Sequence, residues 1–253
     1  AVHDASTGNI SYFTGETADP TGVYTITTSQ LDDGDVAVSY LDDLANQGTA
    51  EAKADGDADS IAGLDVFYAA LDVKDEGDGI TNADLARLSG VDADILYTVS
   101  GGALTTALPE TALYVHAAGV YAPGGNVTVN GDAVIAGEFA PDTYTVTVTG
   151  DWTNNGVFTH GTSTAIFTGG SASINPGGTG DTKDFWKVEI NPTSGTKTVG
   201  SDIMIRDTLT MTSAGDITFT GAVTADSIAQ TGSGTTRFND DVTTVTGGVD
   251  IST

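Results

Sequence analysis

Two acidic segments in the first third of the chain carry the residue types that bind calcium ions. The first runs from 55 to 59 and places Asp55, Asp57 and Asp59 at alternate positions. Calcium takes six to eight oxygen ligands, which alternating aspartates can supply where a glycine such as Gly56 lets the chain turn sharply. The segment therefore predicts a calcium-binding loop.

The second acidic segment, 72–85, has the spacing of a distorted EF-hand loop. Its candidate ligands are Asp72, Asp75, Asp78 and Asp84. If Asp78 and Gly79 take the fifth and sixth positions of such a loop, the twelfth falls on Leu85, one residue after Asp84. Calcium binding is the prediction for both segments, and the alternative is that both are solvated acidic loops.

The residues needed for common types of catalysis are missing. The chain has no cysteine, and its three histidines, His3, His116 and His160, are isolated in sequence. It contains neither a His-Glu-x-x-His motif nor a Gly-x-Ser-x-Gly motif, so we expect no enzymatic activity. The catalytic alternative is a β-helical enzyme that acts on polysaccharides with carboxylates and needs a cleft in which acids converge on a basic residue that stabilises developing charge. The candidate basic residues are Lys183, Lys187, Lys197 and Arg206.

The charge of the chain excludes several classes of partner. There are 35 acidic residues against 8 basic ones, a formal net charge of -27, and the acids comprise 29 aspartates and only 6 glutamates. Such a surface repels nucleic acid and anionic membranes. The preference for aspartate indicates turns, where its short carboxylate bonds nearby backbone, or calcium loops.

Several features agree with a secreted protein. The chain has no run of 18 apolar residues that could form a transmembrane helix, and without cysteine neither disulfides nor thiolate metal sites can brace the fold. It begins at Ala1 without a leader, which we expect of a secreted protein whose signal has been removed or of a fragment. Two N-glycosylation sequons, at Asn9 and Asn126, are compatible with this location.

The composition and the pattern of apolar residues change near residue 120, which predicts two domains, 1–120 and 121–253. The first is acidic and contains alternating, strand-like segments at 22–27 and 35–40. Apolar residues with helical spacing predict a helix over 60–71. A second short helix is predicted from 82 to 89. Helix is therefore expected mainly between residues 60 and 90.

The second domain consists of short alternating segments separated by glycine, asparagine, proline and aspartate, which predict strands and no long helix. The predicted strands are 127–129, 145–149, 164–167, 187–190, 202–205 and 209–212. Three pairs of residues recur at a spacing of 19, namely Gly215 and Gly234, Phe219 and Phe238, and Val223 and Val242. A fixed period near 20 favours a β-solenoid over a β-sandwich.

The solenoid interpretation makes a specific claim about aromatic residues. Phe219 and Phe238 should stack inside adjacent coils, because equivalent positions superpose. The same interior position is expected for Trp152, Phe158, Phe167, Phe185 and Trp186. The alternative for these five residues is an exposed platform on which sugar rings stack.

The run from Gly150 to Gly169 resembles a Gly-x-Trp-Thr-Asn-Asn-Gly-x-Phe pattern of large secreted bacterial surface proteins. The segments 185–191 and 207–213 are similar to the strands that follow it, and the 19-residue repeat resembles those of filamentous-haemagglutinin-like adhesins. The resemblance covers residues 145–253. It implies an extracellular β-helical or β-sandwich array used as an adhesin, fibre or surface coat, and it assigns no binding or catalytic residue.

The sequence therefore predicts an extracellular structural protein that assembles with copies of itself into a fibre, filament or surface layer and is stabilised by calcium. An uncapped final coil ending at 253 is expected to expose strand edges for this assembly. The alternative is a carbohydrate-binding adhesin module that recognises cell-surface glycans, which needs an exposed row of aromatic rings.

Overall fold

A computed structural model describes residues 1–15, 24–28, 30–43, 47–56, 61, 63–107, 109–117, 119–212 and 214–251. The described chain is nearly all β, and its strands stack in parallel into a β-solenoid of about ten turns. This confirms the predicted fold class. Among the described residues, no helix has the length and hydrophobicity needed to cross a lipid bilayer.

The strands are short and follow one another closely along the chain, and most of them have only two to five residues. In chain order they are β1 (Val2–His3), β2 (Ile10–Ser11), β3 (Val36–Tyr40), β4 (Thr49–Lys53), β5 (Ala70–Asp75), α1 (Asn82–Leu85), β6 (Tyr97–Ser100), β7 (Ala103–Thr106), β8 (Ala112–Val115), β9 (Val120–Tyr121), β10 (Val127–Val129), β11 (Ala133–Ile135), β12 (Glu138–Phe139), β13 (Thr145–Val148), β14 (Trp152–Asn154), β15 (Val157–Phe158), β16 (Thr164–Phe167), β17 (Ala172–Asn175), β18 (Lys187–Ile190), β19 (Thr196–Val199), β20 (Ile203–Met211), β21 (Asp216–Phe219), β22 (Val223–Gln230), β23 (Thr236–Phe238), β24 (Val242–Thr244) and β25 (Val249–Ile251).

Three faces enclose the core. The first is a twelve-stranded sheet ordered β2-β1-β3-β4-β5-β8-β11-β14-β17-β19-β21-β23, and the second is a ten-stranded sheet that runs from β6 to β24 with β25 beside β22. The third contains β9, β12 and β15. One coil, such as β10, β11 and β12, contributes a strand to each face, so every coil contacts mainly the coils on either side of it.

Alternation of small or branched apolar residues with threonine explains this architecture. In the second face, one inward column consists of equivalent residues in successive coils: Val127, Val146, Ala165, Val188, Leu209 and Ile228. A slip of one residue would turn this column to solvent, so burial fixes the register. The segments predicted as separate strands at 202–205 and 209–212 belong to one strand, β20, which has a register shift between Ile205 and Thr208.

The predicted 19-residue repeat is the coil repeat. Phe219 pairs in register with Phe238, and their rings stack with centroids 4.9 Å apart and planes 9° apart. Val223 likewise pairs with Val242. The prediction for these pairs is confirmed, because equivalent positions of successive coils superpose as expected.

Four of the five other aromatic residues also lie inside. Trp152 is fully buried, and its ring centroid lies 5.1 Å from that of Phe158, 5.8 Å from that of Phe167 and 5.6 Å from that of Phe185. The prediction is wrong for Trp186, which is only half-buried and lies in the bend between the buried Phe185 and the first residue of β18.

The amino-terminal end has a different construction. Strand β1 pairs antiparallel with β2 and β3, β3 pairs antiparallel with β4, and β6 and β7 form an antiparallel pair. The predicted strand 35–40 is β3, whereas 22–27 is not a regular strand in its described part, in which Tyr24 makes only an isolated bridge. The second predicted helix is present but shorter, as α1, with a capping box between Thr81 and Asp84.

The helix predicted over 60–71 is wrong. Residues 63–67 are irregular, and β5 begins at Ala70; residues 60 and 62 lie outside the described part. Ile61 packs against a small cluster of Val2, Leu31 and Ala54, while Phe67 contacts Tyr114. The apolar residues with helical spacing thus cover different parts of the outer surface of the first sheet. An irregular segment can make these separate contacts as well as a helix can.

Aspartates at the coil corners explain why aspartate outnumbers glutamate. Asp132 Oδ1 accepts the Asp151 backbone N–H at 2.7 Å, and Asp151 Oδ1 accepts that of Ser173 at 2.7 Å. At another corner, Asp202 Oδ1 accepts the backbone N–H of Ala222, which lies in the next coil, at 2.9 Å. A corner carboxylate one methylene longer would overshoot the backbone of the next coil, so these positions favour the shorter acid.

One lysine points into the core. The Lys197 side chain is fully buried on β19, and its Nζ donates to the Thr149 carbonyl at 2.8 Å. Burial lowers the pKa of Lys197 from 10.5 to about 8, while Asp151 and Asp132 act in the opposite direction. The folded state therefore carries the cost of a desolvated charge at neutral pH.

We expect Lys197→Met to be more stable than the wild type by about 1–2 kcal/mol at pH 7, because it removes this charge but leaves the Thr149 carbonyl without a donor. Between pH 8 and 10.5 the unfolded wild type binds more protons than the folded one, so wild-type stability rises with pH. The advantage of the variant should shrink over that range. Urea unfolding at several pH values tests this, with the exposed Lys187→Met as control; an advantage that does not depend on pH contradicts it.

Candidate functional site

Three exposed carboxylates meet at one edge of the first sheet. Asp55 follows β4, Asp78 follows β5, and Asp33 lies in the turn before β3, which runs antiparallel to β4. One oxygen from each lies within 4.8 Å of the others. Asp33 Oδ1 also accepts the Gly56 N–H at 3.2 Å, which holds this carboxylate beside the other two. These three oxygens can supply part of the six to eight that calcium takes, with water supplying the rest.

The other predicted calcium ligands lie elsewhere. Asp75 Oδ2 accepts the backbone N–H groups of Gly77 and Gly79, each at 2.9 Å, and its Oδ1 accepts that of Val120. Asp84 belongs to the α1 cap and lies 3.2 Å from Arg87. Both carboxylates are committed to protein donors. Asp57 and Asp59 lie outside the described residues.

Of the predicted ligands that are described, the structure brings together Asp55 and Asp78, one from each acidic segment. Their third partner, Asp33, was missed by the sequence analysis. The residue is 22 positions before Asp55, and only the antiparallel pairing of β3 with β4 brings the two together. The Asp32-Asp33-Gly34 turn preceding an alternating strand was the available signal.

A second acidic group, Asp42, Asp43 and Asp94, lies at the opposite end of β3. Asp94 accepts the Asp43 N–H and the Gln47 side-chain amide, both at 2.5 Å. The pKa of Asp42 is raised, first by desolvation and then by Asp43, Asp92 and Asp94. Because both oxygens of Asp94 already have donors, this group fits a cation less well than the first.

Asp72 forms a buried pair with a histidine. Its Oδ2 lies 3.1 Å from His116 Nδ1, and its Oδ1 is buried with no hydrogen-bond partner among the described residues. Burial raises the pKa of Asp72 to about 6, while His116 opposes the shift. The pair lies on the outer surface of the first sheet, away from the Asp33–Asp55–Asp78 cluster.

A glutamate lies inside the amino-terminal coils. Glu51 is fully buried, and burial raises its pKa well above the ordinary value, against the lowering effect of a hydrogen bond to Tyr97. The Tyr97 hydroxyl contacts Glu51 and lies 3.0 Å from the Leu85 carbonyl. The Tyr97 hydroxyl donates to Glu51, and the Glu51 side chain is enclosed in the core, so Glu51 acts as a structural group.

Two acidic side chains contact one arginine in the carboxyl-terminal half. Arg206 lies 2.7 Å from Asp181 and also contacts Asp184, which is fully buried and accepts the Gly180 N–H at 2.7 Å. A polysaccharide-acting enzyme would need such a convergence of acids on a basic residue to lie in a cleft. Both carboxylates are paired with the guanidinium, so the contacts fix the 176–184 loop against the next coil.

The last described coil exposes apolar side chains. Strands β24 and β25 pair with β22 on one side only, and β23 ends the first sheet. Val245 is 68% exposed and Ile251 is 61% exposed, and Val242 and Val249 are exposed beside them. This coil therefore presents apolar surface together with unpaired backbone groups of its outer strands.

No protein-family model, no curated protein and no solved structure matches the chain. The resemblance of residues 145–253 to filamentous-haemagglutinin-like proteins is thus supported only at the level of the fold, which is a β-solenoid consistent with a repetitive β surface protein.

Proposed function

We propose that the protein is an extracellular structural component that assembles with copies of itself into a fibre, filament or surface layer. The observation that supports this most directly is the apolar surface of the last described coil, where Val245, Val249 and Ile251 are exposed. Coils repeat in register, so the surface that one coil presents to the next is similar throughout the molecule. A coil of the same kind is therefore the best complement to this surface, and we propose that another copy supplies it, with backbone hydrogen bonds continuing across the junction.

Charge regulates this association. The net charge of -27 keeps free copies apart at low ionic strength. Salt reduces this repulsion, and a divalent ion held by Asp33, Asp55 and Asp78 reduces the local charge and ties three chain segments together. Calcium is thus proposed as a stabiliser of the amino-terminal coils and a promoter of assembly.

The assembly test uses Val249→Lys. Because Val249 is exposed, lysine leaves the core unchanged but places a charge on the open strand edge. In sedimentation velocity at about 1 M NaCl, with and without calcium, we expect the wild type to associate with increasing concentration and Val249→Lys to stay monomeric. Tyr68→Lys, which also places a lysine at an exposed site but in the segment before β5, a strand paired on both sides, should associate like the wild type. A monomeric wild type under all conditions, or equal association of Val249→Lys, contradicts the proposal.

A further inference from the structure

Trp186 is placed differently from the other aromatic residues of its coil. Phe185 is fully buried, whereas Trp186 points outward and is half-buried. Its indole stacks on the ring of His160 in the preceding coil, with centroids 6.2 Å apart and planes 28° apart. The pair forms a partly exposed aromatic surface on the outside of the solenoid.

A second exposed ring lies on the same corner. The Lys187 N–H donates to the Ser163 carbonyl, and the Thr164 N–H donates to the Tyr144 carbonyl. Residues 144, 163 and 186 therefore occupy equivalent positions in three successive coils. Ser163 is small and buried, whereas Tyr144 is 36% exposed. Since neighbouring strands lie about 4.8 Å apart, Tyr144 and Trp186 are separated by about 10 Å along the solenoid axis.

Charged groups surround the aromatic surface, and acidic groups exceed basic ones among them. Lys187 lies 3.4 Å from Asp207, whose backbone N–H donates to the Trp186 carbonyl at 2.9 Å. Arg206, whose backbone N–H donates to the Phe185 carbonyl, is paired with both Asp181 and Asp184. These ion pairs offer donors and acceptors at the edge of the aromatic surface, and their summed charge is slightly negative.

We propose that this corner binds an extended, uncharged polysaccharide, with sugar rings stacked on Tyr144 and on the His160–Trp186 pair. The apolar face of a pyranose ring fits an exposed aromatic ring, and the flanking ion pairs can hydrogen-bond to its hydroxyl groups. The two rings lie along the solenoid axis, which suits a linear chain. Anionic glycans are excluded, because acidic groups exceed basic ones around the aromatic surface and the molecule as a whole is strongly negative. This binding does not depend on self-assembly.

The test is native affinity electrophoresis in gels that contain hydroxyethyl cellulose, arabinoxylan or galactomannan, with alginate as an anionic comparison. At least one neutral polysaccharide should retard the wild type and alginate should not. Trp186→Ala and Tyr144→Ala should each weaken binding about tenfold or more, which corresponds to about 1.4 kcal/mol. Trp186→Phe should retain part of the affinity, because it keeps an aromatic face.

Tyr68→Ala is the matched control, since this tyrosine is 73% exposed and distant in sequence from the corner. Unchanged thermal unfolding shows that a variant is folded. The proposal is overturned if no neutral polysaccharide retards the wild type, if alginate alone does, or if folded Trp186→Ala binds as strongly as the wild type.

Discussion

Replacing Trp152 by alanine should destabilise the protein by about 3–5 kcal/mol, the cost of removing a large side chain from a core that cannot collapse around the cavity. Trp152 contacts the rings of Phe139, Phe158, Phe167 and Phe185, which come from several neighbouring coils. Its loss therefore weakens the junctions between coils as well as one coil. For a domain of this size the expected fall in Tm is about 6–20 °C.

Trp152→Phe should cost much less, about 1–2 kcal/mol. Phenylalanine keeps most of the ring contacts, and it removes the indole Nε1 donor, which is buried without a hydrogen-bond partner in the described part of the chain. Guanidinium unfolding followed by circular dichroism measures both changes. The control is Trp186→Ala, since this half-buried residue should change stability by less than about 1 kcal/mol. A Trp152→Ala variant as stable as the control contradicts this description of the core.

Calcium should reverse the order of stability of the wild type and Asp78→Asn. Without calcium, Asp78→Asn should be equal to or slightly more stable than the wild type, because it relieves repulsion among Asp33, Asp55 and Asp78. With calcium at about 100 times its dissociation constant, the wild type should gain about 2.7 kcal/mol. The substituted side chain supplies a neutral amide oxygen instead of a carboxylate, so the variant should gain much less.

Thermal unfolding with calcium or with a chelator measures this reversal. Asp240→Asn, which removes an exposed aspartate near the other end of the chain, is the control and should respond to calcium as the wild type does. Hydrogen exchange should place the added protection in β3, β4 and β5, the strands that carry the three carboxylates. An identical response of the wild type and Asp78→Asn would show that the cluster is solvated charge.

The solenoid could be predicted because its coils repeat along the chain. The spacing of Phe219 and Phe238 is the length of one coil, so a pattern in sequence is directly a contact in space. Short alternating strands such as Thr164–Phe167 were also readable, since alternation of burial has a period of two in any strand. Predicting these features requires only the local pattern of residues and the length of one repeat.

The candidate metal cluster could be predicted only in part. Asp55 and Asp78 stood out because each lies in a dense acidic segment, but their meeting with Asp33 depends on which strands become neighbours. The failed helix at 60–71 has a related cause. Its apolar residues pack against separate partners on the outer surface of the first sheet, and such contacts imitate a helical face in sequence.

The stacking of coils also determines how the molecule responds to mechanical force. Hydrogen bonds between coils lie roughly along the solenoid axis, and each coil is held mainly by its two neighbours. Tension applied along the chain therefore detaches coils one after another. A released coil of 19 residues, such as the one between Val223 and Val242, adds about 60 Å of extended chain. A solenoid of this kind lengthens in steps under load, so it can extend under tension while the remaining coils stay folded.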